Sequence, residues 1–314
     1  MRDKTRWKFT AACVNPETAR FAPLMLTSID SVRVLGRTPR TAAYVAAGAV
    51  LAILVPGVTA AQTDYYNTDS RRPITIEDAY ATERYAFELQ LAPLRLERLR
   101  GGIYSWGLEP ELTYGILPRT HIELGFPLVY ADLGASRRRV GLAGIEASLL
   151  HNFNVETRTL PALGFVAEVL APVGGLGPDK AYASAKAMAT RTLGWARFHL
   201  NGQYTLGATP APNAQGTSGS GVGAVELSRW LSGVAIDKTF PLRATLITGE
   251  VFARQPIHSD EAVEWNAGAG VRYQVNQYFA LDAGIGKRLT GDDQSWFFTF
   301  GLARAFAIRA LMPR

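Results

Sequence analysis

Between residues 84 and 306 the chain repeats one device, a run in which every second side chain is large and apolar, closed off by turn-forming residues. The runs are 84–96, 103–116, 120–130, 139–153, 160–172, 181–191, 195–207, 225–237, 243–254, 263–274, 278–289 and 295–306, twelve in all. A period of two places alternate side chains on opposite faces of a strand, which no helix does. Each run is long for a globular strand and close to the ~9–11 residues a tilted strand needs to cross a bilayer.

The two faces differ in chemistry. Over residues 197–206, Arg197, His199, Asn201, Gln203 and Thr205 alternate with Phe198, Leu200, Gly202, Tyr204 and Leu206. Over 104–114, Ser105, Gly107, Glu109, Glu111 and Thr113 oppose Tyr104, Trp106, Leu108, Leu112 and Tyr114. Glu264, Asn266, Gly268, Gly270 and Arg272 likewise oppose Trp265, Ala267, Ala269, Val271 and Tyr273. A soluble barrel buries its apolar face, and the polar set here is too rich in ionised groups to fill a small dry interior. The split fits a sheet with lipid outside and a polar lumen within.

Links between runs are sorted by length. Leu117-Pro118-Arg119, Asn154–Thr159, Thr192–Gly194, Lys238–Leu242 and Val275–Gln277 are short, while Asp132–Arg138, Val173–Lys180, Ala208–Ala224 and Gln255–Ala262 are longer and more polar. Short turns at one end and long loops at the other mark an outer-membrane barrel, and an even strand number brings both termini to the periplasmic side. Aromatic residues gather near run ends (Tyr85, Tyr104, Tyr114, Tyr130, Tyr182, Trp195, Trp265, Tyr273, Tyr278, Trp296), as interfacial girdles require. The expected fold is all-β: a transmembrane antiparallel up-and-down β-barrel of about twelve strands, of bacterial outer-membrane type, over residues 84–314.

Ahead of the barrel, Arg33, Arg37 and Arg40 precede the apolar stretch Thr41–Val58, and Val58-Thr59-Ala60-Ala61-Gln62 follows. This order reads as a signal peptide cleaved near Ala61, with an N-terminal extension before it; Met25 offers a more ordinary start than Met1. An N-terminal membrane anchor is the alternative. Of 33 Lys and Arg and 27 Asp and Glu, eight and three respectively precede residue 62, so the remainder is nearly neutral and a nucleic-acid partner is not expected. Cys13, the single cysteine, also lies there. Residues 62–83 read as a polar periplasmic tether, ordered only if it packs into something.

The inward set places acids at Glu88, Glu109, Glu111, Glu123, Glu146, Glu168, Glu250, Glu264 and Asp282, bases at Lys186, Arg197, Arg272 and Arg288, and polar groups at His199 and Asn201. These are the candidate lumen-lining residues. One reading is a solute path with a charged constriction; the other is a salt-bridged filling that holds the barrel's register. No spacing singles out a catalytic pair among Glu123, Glu146, Glu168 and Glu250. His121, His151, His199 and His258 lack metal-ligand spacing, and neither metal nor cofactor is expected. Gly268-Ala269-Gly270 and Gly284-Ile285-Gly286 lie within strand patterns, where glycine relieves crowding. Arg137-Arg138-Arg139 on an outer loop is either a solvated turn or a grip on lipopolysaccharide phosphates.

Thr299-Phe300-Gly301 with Phe306 resembles the C-terminal insertion signal of bacterial outer-membrane barrels, which implies the outer-membrane assembly machinery as a partner alongside outer-membrane lipid. A second resemblance rests on Glu109-Pro110-Glu111-Leu112-Thr113-Tyr114-Gly115, Pro118-Arg119-Thr120, Glu123-Leu124-Gly125-Phe126-Pro127-Leu128, His199-Leu200-Asn201-Gly202-Gln203-Tyr204, Gly249-Glu250-Val251-Phe252-Ala253 and Ala283–Asp292. These blocks resemble a family of outer-membrane barrel transporters related to the MetA-pathway of phenol degradation proteins. The resemblance implies a barrel that passes small solutes, aromatic or hydrophobic ones among them. The expected function is a passive channel rather than an enzyme. The alternatives are a membrane-embedded lipid or ester hydrolase, with His151 on the outer face, and a structural or adhesion barrel without conductance.

Overall fold

The first strand and the last lie side by side, and that pairing closes the sheet. In a computed structural model the chain forms β1 (Ala86–Arg98), β2 (Tyr104–Leu117), β3 (Thr120–Gly125), β4 (Leu128–Asp132), β5 (Arg138–Leu142), β6 (Ile145–Asn154), β7 (Ala162–Ala171), β8 (Tyr182–Leu193), β9 (Ala196–Thr205), β10 (Ser228–Thr239), β11 (Thr245–Pro256), β12 (Glu264–Asn276), β13 (Phe279–Arg288) and β14 (Trp296–Ala307), then a 3-10 turn at Arg309–Leu311. The structure describes residues 67–98, 104–132, 138–207, 227–239, 243–257, 262–290 and 294–312. The expected signal peptide, residues 62–66, the 208–224 loop, His258 and most of the 132–138 loop lie outside them.

Every pairing within the sheet is antiparallel, and β1 meets β14 from Ala86↔Ala307 to Arg98↔Trp296. The fourteen strands make twelve staves, because β3 and β4 share one and β5 and β6 another. The first break falls at Phe126-Pro127, where proline has no N–H to give the ladder. The second falls at Ala143-Gly144, with Gly144 at φ 133, and Ala143 N–H donates to Pro127 O at 2.8 Å to tie the breaks together. The result is a closed, antiparallel, twelve-stave barrel, as the alternating runs predict. The β2–β3, β8–β9 and β12–β13 links are two-residue turns, all at one end.

The outside is apolar. Phe198, Leu200, Val234, Ile247, Phe298 and Phe300 are all exposed. Across the closing seam Phe87 stacks between Tyr114 at 4.3 Å and Phe306 at 5.3 Å, near one rim, and Trp106 stacks on Tyr130 at 5.6 Å toward the other. Phe306, the last aromatic of the insertion-like pattern, thus fastens the seam. Tyr182 departs from the expected girdle: it is buried, and its hydroxyl donates to Asp179 at 2.7 Å.

Residues 67–83 are not a free tether. They lie inside the closed sheet as a strap that follows its inner wall. Pro73 O accepts from Thr299 Oγ1 of β14 at 3.0 Å; the N–H groups of Thr75 and Ile76 donate to Glu250 of β11 at 2.7 and 2.9 Å. Glu77 N–H donates to Asn201 of β9 at 3.0 Å, Ala79 N–H to Thr190 of β8 at 3.0 Å, and Thr82 N–H to His121 of β3 at 3.1 Å. The strap's backbone has no sheet ladder of its own, so wall side chains meet its polar groups. Small apolar patches receive the rest: Ile74 and Ile76 pack with Ala235 and Phe252, and Ala79 with Leu150, Val166 and Met188. Glycine lets the strap approach. A Cβ on Gly284 would stand 2.5 Å from Pro73 O, and one on Gly115 2.0 Å from Glu83 O.

Candidate functional site

Strand alternation turns the expected lumen set inward, and the structure shows what each member meets there. Glu109, Glu111, Glu146, Lys186, His199, Asn201, Glu250, Glu264, Arg272, Asp282 and Arg288 are buried, while Glu88, Glu123, Glu168 and Arg197 are half-buried.

They fall into three groups. On the β12–β13–β1 side, Asp282 accepts Arg272 Nε at 2.6 Å and lies 3.1 Å from Arg72 Nε, an ion pair without the alignment of a hydrogen bond. Arg72 also reaches Asp69 at 2.6 Å and Glu88 at 3.2 Å, and Arg272 donates to Asp69 at 3.0 Å and to the backbone oxygen of Asn67. Strap and wall are therefore joined by one continuous charge network. Above it, Glu264 accepts a hydrogen bond from Arg254 Nε at 2.7 Å and lies 3.4 Å from Arg288, which lies 3.3 Å from Glu97. Ser295 donates to Glu97 at 2.5 Å.

The second group is on β8, β9 and β10. Arg197 grips Asp237 through Nε at 3.0 Å and Nη2 at 2.8 Å, and His199 Nε2 lies 2.8 Å from Asp237 Oδ2. The other ring nitrogen of His199 lies 3.0 Å from Thr190 Oγ1, the atom that accepts Ala79 N–H. The carboxylate can only accept, so Nε2–H faces it, and in the neutral ring Nδ1 then accepts the Thr190 hydroxyl proton. The chain of contacts orients Thr190 toward the strap. Beside it Lys186 meets Glu77 at 2.5 Å.

The third group is an acidic wall on four adjacent staves. Register places Glu111, Gly125 and Glu146 in one row across β2, β3 and β6. The next row runs Thr113, Glu123, Ser148, Glu168 and Ser184, from β2 to β8. Thr113 donates to Glu123 at 3.1 Å and Ser184 to Glu168 at 3.1 Å. Arg71 of the strap points into the wall, 2.5 Å from Glu109 and 3.5 Å from Glu146. Cavities of about 70 and 30 Å³ both touch Arg71, Glu146, Glu168 and Lys186. Among the described residues, no three acids or histidines converge closely enough to hold a metal ion.

Solved structures with a similar winding are outer-membrane proteins. The COG4313 outer membrane channel from Pseudomonas putida F1 aligns with a TM-score of 0.48 at 14% identity, over 73% of this chain and 98% of that one. A KdgM porin aligns at 0.41 and 11% identity, over 70% and 98%, and the transport unit of the autotransporter AIDA-I from Escherichia coli at 0.36 and 11%, over 72% and 91%. No protein-family model matches the chain, and no curated protein matches it.

Alternation did not reveal Glu97, Asp237, Arg254 or the strap's Asp69, Arg71, Arg72 and Glu77. Glu97 is hidden by a bulge: the β1 register slips between Leu91 and Leu94, so inward parity passes from even numbers to odd. Asp237 and Arg254 keep the parity of their strands and stand at the last position of their runs, where a run reads as a turn. His151 is on the outer face, with Nδ1 2.8 Å from Thr120 Oγ1 and its ring edge-on to Phe153 at 5.1 Å. Among the described residues no carboxylate lies within ion-pair reach of it.

Proposed function

We propose that this chain is a bacterial outer-membrane barrel through which small solutes move passively, along a lumen narrowed by residues 67–83. One observation carries the reading: the closed wall is apolar outside and ionised inside. Lipid is the environment in which such a wall has no exposed cost, since every strand is paired and its outer side chains match hydrocarbon. Ionised groups inside favour water and polar solutes over a dry packed core.

The blocks that resemble the MetA-pathway barrels support the same reading and add aromatic or hydrophobic solutes to the candidates. The leader-like stretch before Ala61 supports export, after which lipopolysaccharide and the assembly machinery are the expected partners. The strap narrows the pictured state, because the cavities beside Arg71, of about 70 and 30 Å³, are of a size for a few water molecules.

Planar-bilayer recording of the purified barrel tests this. Small ohmic openings are expected, together with swelling of proteoliposomes in small sugars. An electrically silent barrel that admits no solute rules the channel out and leaves the adhesion reading.

A further inference from the structure

We propose that the acidic wall of Glu111, Glu123, Glu146 and Glu168 is a binding site for the cationic head group of a solute, a guanidinium or primary ammonium, whose place Arg71 occupies in the resting protein. The proposal rests on the conduit reading and names the class of solute it favours.

Charge is the first reason. Four carboxylates stand on two neighbouring rows, Glu111 and Glu146 on either side of Gly125, Glu123 and Glu168 on either side of Ser148. Gly125 leaves the gap between the first pair open: a Cβ there would already lie 3.4 Å from Glu146 Cβ and 3.5 Å from Glu111 Cγ. Among the described residues two cations, Arg71 and Lys186, line the cavity beside this wall, and Lys186 is engaged by Glu77 at 2.5 Å. Arg71 is left to meet the rest.

The second reason is independent of the count. Glu111 is 6% exposed, lines the cavity of about 30 Å³, and among the described residues has no hydrogen bond or ion pair of its own. A carboxylate that opens only onto a cavity and has no protein donor is a place for one, because a charged donor meets it best. The ion pairs that Arg71 makes are with Glu109 and Glu146, and none reaches Glu111. The wall's spread-out acids suit an extended organic head group rather than a bare metal ion, which needs ligands converging on a point.

Arg71 is also the right group to be exchanged. Its neighbour Arg72 is buried and meets three acids, whereas the Arg71 side chain is 27% exposed and makes one short pair and one at 3.5 Å. A guanidinium fork or an ammonium with three donors replaces it without new geometry.

The test compares arginine with citrulline, which has the same shape and an uncharged side chain, in swelling of proteoliposomes carrying the full-length exported barrel. A parallel arm measures thermal unfolding of the detergent-held barrel with methylguanidinium or with neutral methylurea. Arginine is expected to enter roughly threefold to fivefold faster, the worth of a partly exposed ion pair. Methylguanidinium alone is expected to raise the unfolding temperature. Glu111→Gln and, separately, Glu168→Gln are expected to move the arginine-to-citrulline ratio toward one, with heat-modifiable gel migration showing that each variant folds. Equal entry of the two solutes into wild-type vesicles overturns the proposal and leaves the channel standing. Entry of neither removes the channel, and the unfolding arm then decides: a shift specific to methylguanidinium keeps the cation site, and no shift overturns it as well.

Discussion

Asp282 receives two guanidinium groups, Arg272 at 2.6 Å and Arg72 at 3.1 Å, in a place shielded from water. One belongs to the wall and one to the strap, so a single carboxylate ties them together. Taking its charge away leaves two buried cations side by side with only Asp69 and Glu88 to answer them. Breaking a buried pair in this way costs about 3–5 kcal/mol. Asp282→Asn is therefore expected to lower the urea midpoint of unfolding, with the slope unchanged. At this scale the sequence is informative wherever parity is unbroken: Glu109, His199, Glu250 and Arg272 fall inward by counting in twos. It fails at Glu97, because the bulge at Ala92-Pro93 inserts an extra step that counting alone does not reveal.

The strap has little pattern of its own and bonds to residues far along the chain. It has no period, because along its length it passes from stave to stave, from β14 through β11, β9, β8 and β3 to β2. Its presence leaves a trace in the wall, where Gly115 and Gly284 stand at positions a side chain would block. The glycines read as relief of crowding; the crowding body is invisible until the barrel is closed. Deleting residues 67–83 returns Glu250, Asn201 and Thr190 to water, which an aqueous lumen accepts. The shortened chain is expected to keep its β1–β14 seam and its heat-modifiable migration. Its single-channel conductance is expected to rise severalfold above that of the full chain, measured in the same bilayers.

At the scale of the whole molecule the outer belt decides where the barrel can live. Leu200 stands near the middle of β9 with its side chain outward and exposed. An arginine at the midplane of such a face costs ~2–4 kcal/mol. Leu200→Arg is expected to lower the yield of folding into lipid vesicles by that amount, while Arg at a rim position such as Leu193 is expected to change it little. The measurement is the folded fraction against urea in preformed vesicles.

What the sequence determined by itself is the wall: which side chains face out and which face in wherever parity is unbroken, how many staves there are and which ends carry the turns. Those follow from a period of two and from turn chemistry, both of them properties of neighbouring residues. Only the tertiary structure decided what fills the lumen. Glu77 and Asn201 are 124 positions apart, and Arg272 and Asn67 are 205 apart. No local pattern relates such partners; they meet because the sheet closes and the chain that precedes it is folded back inside.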